Sequence, residues 1–177
     1  MNKTKLIILF AFVFFAVSAL SCKQGNAPKE AVDSEKLKES LIKANIIISQ
    51  VEEEQINDFI ERYGWEMQTT GSGLRYMIYE PGIGGKAEKG RVATINYTLR
   101  SISGDIIYTS DIGVPLEFEI GNGNVENGLE EAILLMQVGD KAKIILPSHL
   151  GFGLAGDDHK IQPKATLIYD IEFLAIN

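Results

Sequence analysis

The sequence predicts an α+β fold: an antiparallel β-sheet wrapped around one short helix, preceded by one or two N-terminal amphipathic helices. Three observations point there. Beyond Trp65, apolar residues recur with period two in five or six short segments. A single segment in that region, between Gly128 and Val138, has the helical period instead. Ahead of both, residues 33–63 carry a longer helical stripe.

The first residues stand apart from this fold. Lys3 and Lys5 make a basic start, and Leu6–Leu20 is apolar except for Ser18. A membrane-spanning helix needs about 20 apolar residues and a secretory core about 7–15, so residues 1–21 read as a signal peptide. The lone cysteine, Cys22, excludes an intramolecular disulfide and leaves a reactive thiol, a buried core residue or a lipid anchor. Its place after Ser18-Ala19-Leu20-Ser21 resembles the lipobox of bacterial lipoproteins, with the usual leucine-then-small order swapped at Ala19 and Leu20. That resemblance implies diacylation at Cys22, and acyl chains at about 0.8 kcal/mol per buried methylene hold a protein on a membrane. Lys23 follows the cysteine where an aspartate-type inner-membrane retention signal would begin, so the expected location is the outer membrane, facing the periplasm. Residues 22–32 then form anchor and tether.

From residue 33 to 65 the pattern is helical. Leu37, Leu41, Ala44, Ile48 and Val51 recur at spacings of four and three, Ile56, Phe59, Ile60 and Tyr63 resume the stripe, and Gly64 supplies a stop. Glu52-Glu53-Glu54 suit the first turn of a second helix. The stripe either packs on its own domain or forms a homodimer seam through 33–63; two heptads fall short of the three or four that argue a coiled coil.

Leu74, Tyr76 and Ile78 then alternate with Arg75, Met77 and Tyr79, and Ala93, Ile95, Tyr97 and Leu99 alternate with Thr94, Asn96 and Thr98. Gly104-Asp105 turns the chain into Ile106–Ser110, and Leu116, Phe118 and Ile120 alternate with Glu117 and Glu119. The short helix buries Leu129, Ala132, Ile133 and Met136, with Asn127 and Glu130 suited to cap its start and Gly139 to end it. Strands over Lys141–Pro147 and Ala165–Ala175 finish the chain, the latter with Leu167, Tyr169, Ile171 and Phe173 on one face.

Several functions are excluded. The formal net charge is −7; removing residues 1–21 takes away two lysines, leaving 17 − 2 = 15 basic against 24 acidic residues, or −9. So acidic a chain, without a basic stripe, is no nucleic-acid binder. Gly151, Gly153 and Gly156 spell G-x-G-x-x-G, the dinucleotide fingerprint, but Pro163 arrives too soon for the helix that fingerprint must open. Gly123–Gly128 begins like a phosphate loop and lacks its lysine. No nucleophile elbow or H-E-x-x-H pair occurs, and His149, Asp157, Asp158 and His159 read as solvated loop residues, so neither a metal nor a cofactor is expected.

What remains is a set of inward aromatics. From Gly73 to Asn177 the chain resembles an FKBP-type peptidyl-prolyl isomerase domain, in Val92–Thr98 (VATINYT), Gly104–Ser110 (GDIIYTS), Pro115–Ile120, Val125–Ala132 (VENGLEEA), Val138–Pro147 (VGDKAKIILP), Gly151–Gly153 and Pro163–Leu174 (PKATLIYDIEFL). Residues 33–65 and Ser72-Gly73-Leu74-Arg75-Tyr76 are further similar to the gliding-motility-associated isomerase lipoproteins. The resemblance implies a proline-binding pocket formed by Tyr97, Tyr108, Leu116, Phe118, Val125, Phe152 and Tyr169 over a floor of Leu129, with Glu126 offering its backbone N–H to a client carbonyl. Gly151 and Gly153 would let the Phe152 loop arch over the rim. By the resemblance, Leu116, Thr109, Asp111, Gly151 and Gly153 would contact the substrate, with two departures: Phe152 replaces the usual tyrosine, and Thr109 replaces an aspartate that Asp111, two positions on, would have to stand in for. The implied activity is prolyl isomerisation of exported polypeptides, with a binding module or chaperone of little turnover as the alternative.

Overall fold

The computed structural model describes residues 34–110 and 114–177, so the segments read as signal peptide and tether, with Cys22 and Asp111, lie outside the described residues. The chain divides into two units, Met1–Lys43 and Ala44–Asn177. Residues 34–43, the described part of the first, are helical and exposed. No helix among the described residues is long and apolar enough to cross a membrane.

Helix α1 runs unbroken over Ser34–Tyr63, so a second helix opening at Glu52 is a reading the structure corrects. No glycine or proline interrupts that stretch, and two of the three acids, Glu52 and Glu53, have other partners. The Glu52 carboxylate accepts hydrogen bonds from the Ser148 N–H (2.6 Å), the Ser148 hydroxyl (3.0 Å) and the Thr166 hydroxyl (2.7 Å), while Glu53 pairs with the buried Arg75. Gly64 ends the helix as expected, at φ +63°, where a side chain would be strained.

The sheet is wholly antiparallel and contains seven strands among the described residues: β1 (Gln68–Thr69), β2 (Arg75–Glu80), β3 (Val92–Ser101), β4 (Ile106–Thr109), β5 (Leu116–Glu119), β6 (Lys141–Leu146) and β7 (Leu167–Ile176). Their order is β1-β2-β6-β7-β3-β4, with β5 also paired to β3. Strand β1, two residues long, is too short to leave a period and went unforeseen. The ten-residue β3 divides its outer edge, pairing Ile95 with Leu116 of β5 and Leu99 with Tyr108 of β4, while Tyr97 and Leu99 face Ile171 and Tyr169 of β7 on its inner edge.

Helix α2 (Asn127–Leu134) packs on one face of this sheet, burying Leu129, Ala132 and Ile133. It is shorter than its apolar period suggests. Residues 136–138 instead bond to the 84–87 segment, through Ala87 N–H to Met136 O (3.1 Å) and Val138 N–H to Gly85 O (2.9 Å), which outcompetes another helical turn. Its capping also departs from expectation. Glu126 is the N-cap and uses no side-chain cap bond, and Glu130 accepts from the Gly123 N–H (2.9 Å). The opposite sheet face is not solvated throughout, because Ile56 and Phe59 of α1 cover Ile145 of β6 and Ile168 of β7. Alternation thus sends Ile144 and Tyr169 to the α2 side and Ile145 and Ile168 to the α1 side.

Candidate functional site

On the α2 side a cavity of about 420 Å³ opens, lined by Tyr97, Leu99, Tyr108, Leu116, Gly123, Asn124, Val125, Glu126, Gly151, Phe152 and Tyr169. Strand register brings these together. Tyr97 and Leu99 sit two apart on β3, Tyr169 lies opposite Leu99 on β7 and Tyr108 opposite it on β4. Tyr97 and Tyr169 meet at a centroid separation of 5.7 Å and 50° between planes, an aromatic pairing within favourable range.

Eight sequence-predicted residues therefore line one opening: Tyr97, Tyr108, Leu116, Val125, Glu126, Gly151, Phe152 and Tyr169. Phe118 and Leu129 lie in the core cluster, 4% and 1% exposed, supporting the walls from below. Gly153 is a turn residue at φ +59° and is not among the residues lining this cavity. Thr109 corrects the expectation drawn from the resemblance. It follows the inward Tyr108, so its side chain takes the opposite direction, is exposed, and donates to Tyr97 O (3.1 Å) beside a separate polar hollow with Asn96 and Thr98. Leu99, Gly123 and Asn124 were missed. Leu99 carried the signal, on the same period-two face as Tyr97; the loop pair carried none.

Two tyrosine hydroxyls in the wall are spoken for by carboxylates. Tyr108 donates to Asp157 of the glycine loop, and that bond raises its own pKa. Burial pushes the Asp157 carboxyl up, but bonds from the Tyr108 hydroxyl and from the Ile161 and His159 N–H groups outweigh it, holding the group at about 2. A folded value below the ordinary 3.8 means this fastening is complete at neutral pH and is lost only as acid takes the solution down through about 2. Lys160 completes the fastening, its ammonium 5.2 Å from the Tyr108 ring centre and 3.3 Å from Ile107 O. Across the opening, Tyr169 donates to Glu126 Oε1 at 3.1 Å. Burial, followed by the Glu126 charge, pushes the Tyr169 hydroxyl well above the usual phenol range.

The Glu126 N–H finds no acceptor among the described residues and stands at the open N-terminal end of α2. The lining contains no serine, cysteine, histidine or lysine. Among the described residues, no group of three or more His, Cys, Asp or Glu is placed to hold a metal ion. What the arrangement offers is a greasy, partly enclosed seat for a ring, with a backbone donor at its edge.

Comparisons with known proteins agree with this geometry. The family model for FKBP-type peptidyl-prolyl cis-trans isomerase matches residues 84–174. The chain is 41% identical over 93 residues to FK506-binding protein 2 of Dictyostelium discoideum, covering 52% of this chain and 70% of that protein. It is 30% identical over 151 residues to a probable FKBP-type peptidyl-prolyl cis-trans isomerase of Haemophilus influenzae, covering 84% of this chain and 61% of the relative. The crystal structure of AtFKBP13 superposes with a TM-score of 0.61 at 30% identity, over 64% of this chain and all of that one.

Proposed function

Because the chain belongs to the family of FKBP-type peptidyl-prolyl cis-trans isomerases, we propose that its cavity seats the proline of exported polypeptides and speeds their folding in a bacterial cell envelope. The observation that carries the reading is the gathering of Tyr97, Tyr108, Phe152 and Tyr169 around one opening whose lining contains no serine, cysteine, histidine or lysine.

The chemistry needs none. Rotation about a prolyl peptide bond is slow, at tens to hundreds of seconds, because twisting sacrifices amide resonance. The planar amide is the more polar state, so a water-poor cavity penalises it more than the twisted one. Contact between the proline ring and the aromatic wall supplies the binding that draws the bond in. The Glu126 N–H would hold a client carbonyl other than that of the twisting bond, whose planar state a donor would favour. A thousandfold acceleration asks for only about 4 kcal/mol.

The envelope setting rests on the leader-like residues 1–21 and on Cys22, read as a lipid anchor to the outer membrane. Gliding motility is the envelope process that the resemblance of the N-terminal region favours. The purified chain is expected to accelerate cis-trans exchange of a proline tetrapeptide and the refolding of a proline-limited protein. Failure in both assays would sink the reading.

A second reading, a binding module or holdase with little turnover, is favoured by one feature: Phe152 brings no hydroxyl, and those of Tyr108 and Tyr169 are already given to carboxylates. It expects aggregation suppression to survive in a Tyr97→Ala, Tyr169→Ala variant whose exchange activity is gone; loss of both together counts against it.

A homodimer is part of the proposal. Leu37, Leu41, Ile48 and Val51, which share one face of α1 by their spacing, are 37–57% exposed, an apolar row of the kind that marks association. Mixed Lys and Glu beside it (Glu35, Lys36, Lys38, Glu39, Lys43) suit a self-complementary partner, a second copy of the chain. Sedimentation equilibrium is expected to give a dimer that Leu41→Lys, Ile48→Lys converts to monomer; a monomer in the parent at all concentrations refutes it.

A further inference from the structure

We propose that Glu126 selects clients by charge, favouring prolines flanked by a lysine or arginine. The inference rests on the isomerase reading and concerns the specificity of that same cavity.

Among the residues lining the opening, Glu126 is the one with a charged side chain. Its position invites a different job. At the N-cap of α2, with φ −61° and ψ 142°, the short Asp, Asn, Ser and Thr side chains bond the helix's first N–H groups, and Glu126 carries its carboxylate one methylene too far for that. It makes no such bond; the side chain is held instead by the Tyr169 hydroxyl at 3.1 Å. That is a single hydrogen bond to a group with about four acceptor sites, and Glu126 forms no salt bridge with any described residue. A carboxylate is thus held half-buried and with one hydrogen-bond partner, against the tyrosine that walls the seat for the ring.

The other charges at the rim do not cancel it. Asp157 and Lys160 both sit beside Tyr108, one bonded to its hydroxyl and the other over its ring, and they offset each other. Glu130, one turn along α2, adds a charge of the same sign as Glu126. The lining itself is therefore net negative. A proline seated on Tyr169 carries its flanking residues past the carboxylate. A basic side chain there gains a charge-assisted hydrogen bond in a partly desolvated place, while an acidic one meets like charge.

The test uses the full chain and two peptide series, varying the residue before or after proline through Lys, Leu and Glu. Exchange spectroscopy reads the rates without a coupling protease and its own preferences. In at least one series kcat/KM for Lys is expected to exceed that for Glu by about tenfold at low ionic strength, equivalent to ~1.4 kcal/mol. The ratio shrinks to about twofold near 1 M salt, where the screening length is about 3 Å, and in Glu126→Gln, which keeps an acceptor for Tyr169 and loses the charge. Tyr169→Phe keeps the charge, and its ratio persists whatever its absolute rate. Measurable catalysis with ratios within twofold in both series, or a ratio that Glu126→Gln leaves intact, overturns the selectivity and spares the isomerase reading. No acceleration of any peptide overturns both.

Discussion

Replacing Gly156 by alanine is expected to lower kcat/KM on a proline peptide by about 10²-fold, the order of loss that an ångström of misplacement produces, without unfolding the sheet. Gly156 has φ +75°, and an alanine Cβ there would lie 2.2 Å from Ile161 O, 3.1 Å from Gln162 C and 3.1 Å from Pro163 N. All three are backbone atoms, so no rotamer change relieves the clash and the loop itself must open. The consequence travels through known bonds. The Ile161 carbonyl accepts from the Asp157 N–H (3.2 Å), Asp157 takes the Tyr108 hydroxyl, and the Gly156 N–H bonds Phe152 O (3.3 Å). Moving Ile161 therefore pulls at Asp157, Tyr108 and Phe152 together, which is one wall of the cavity. Gly153→Ala is the matched control. Its φ of +59° carries the left-handed penalty of about 1–2 kcal/mol, but nothing lies within 4 Å of the new methyl, so a smaller loss of activity is expected. Rates from exchange spectroscopy and thermal midpoints for both variants decide the matter. A Gly156→Ala enzyme within threefold of the parent would show that the loop does not shape the site.

That loop also shows how far the residues alone can be read. Its glycine pattern matches a nucleotide motif, and Pro163 was enough to exclude it, because a helix cannot start in the space left. Period two placed Tyr97, Tyr108 and Tyr169 inward on three separate strands, and register then carried all three to one opening. The same period places Leu99 inward and Thr109 outward. Thr109 was assigned to the pocket through family resemblance, against the alternation of its own strand. What local pattern does not record is partnership across long separations. Asp157 looks like a solvated loop acid until Tyr108, 49 residues earlier, is found donating to it. Glu52 and Glu53 fit a helix start by composition, yet their partners are Ser148, Thr166 and Arg75, distant in sequence and neighbours only after folding. The early end of α2 has the same origin, since residues 136–138 find better backbone partners in 84–87 than in another turn.

Those acids, with Ile56 and Phe59, make the attachment of α1 a distinct energetic unit, and Ile56→Asp is expected to break it. Ile56 is fully buried and packs with Phe59 on Ile145 and Ile168, beside the Trp65 ring that meets Phe59 edge-on at 5.3 Å. A carboxylate at that spot has no cation to pair with in the cluster, and an uncompensated buried charge costs about 3–5 kcal/mol. At roughly 2–4 °C per kcal/mol for a chain of this size, the thermal midpoint falls by about 10 °C. The sign with pH follows from desolvation. The new carboxyl has a folded pKa above its unfolded value of about 4, so the folded state holds the proton longer; the penalty is smallest in acid and grows as pH rises through that window. Ile56→Ala removes the same packing without a charge and should cost about 2–5 kcal/mol with no such pH dependence. Catalysis separates this attachment from the site. The proline seat opens on the face carrying Tyr169 and Ile144, whereas Ile56 covers Ile145 and Ile168 on the reverse. Well below both midpoints, kcat/KM should therefore stay within about threefold of the parent, while proteases cut within residues 44–63. An Ile56→Asp midpoint within 2 °C of the parent would mean that α1 is not held by this contact. A loss of activity as large as that of Gly156→Ala would mean instead that the two faces of the sheet are coupled.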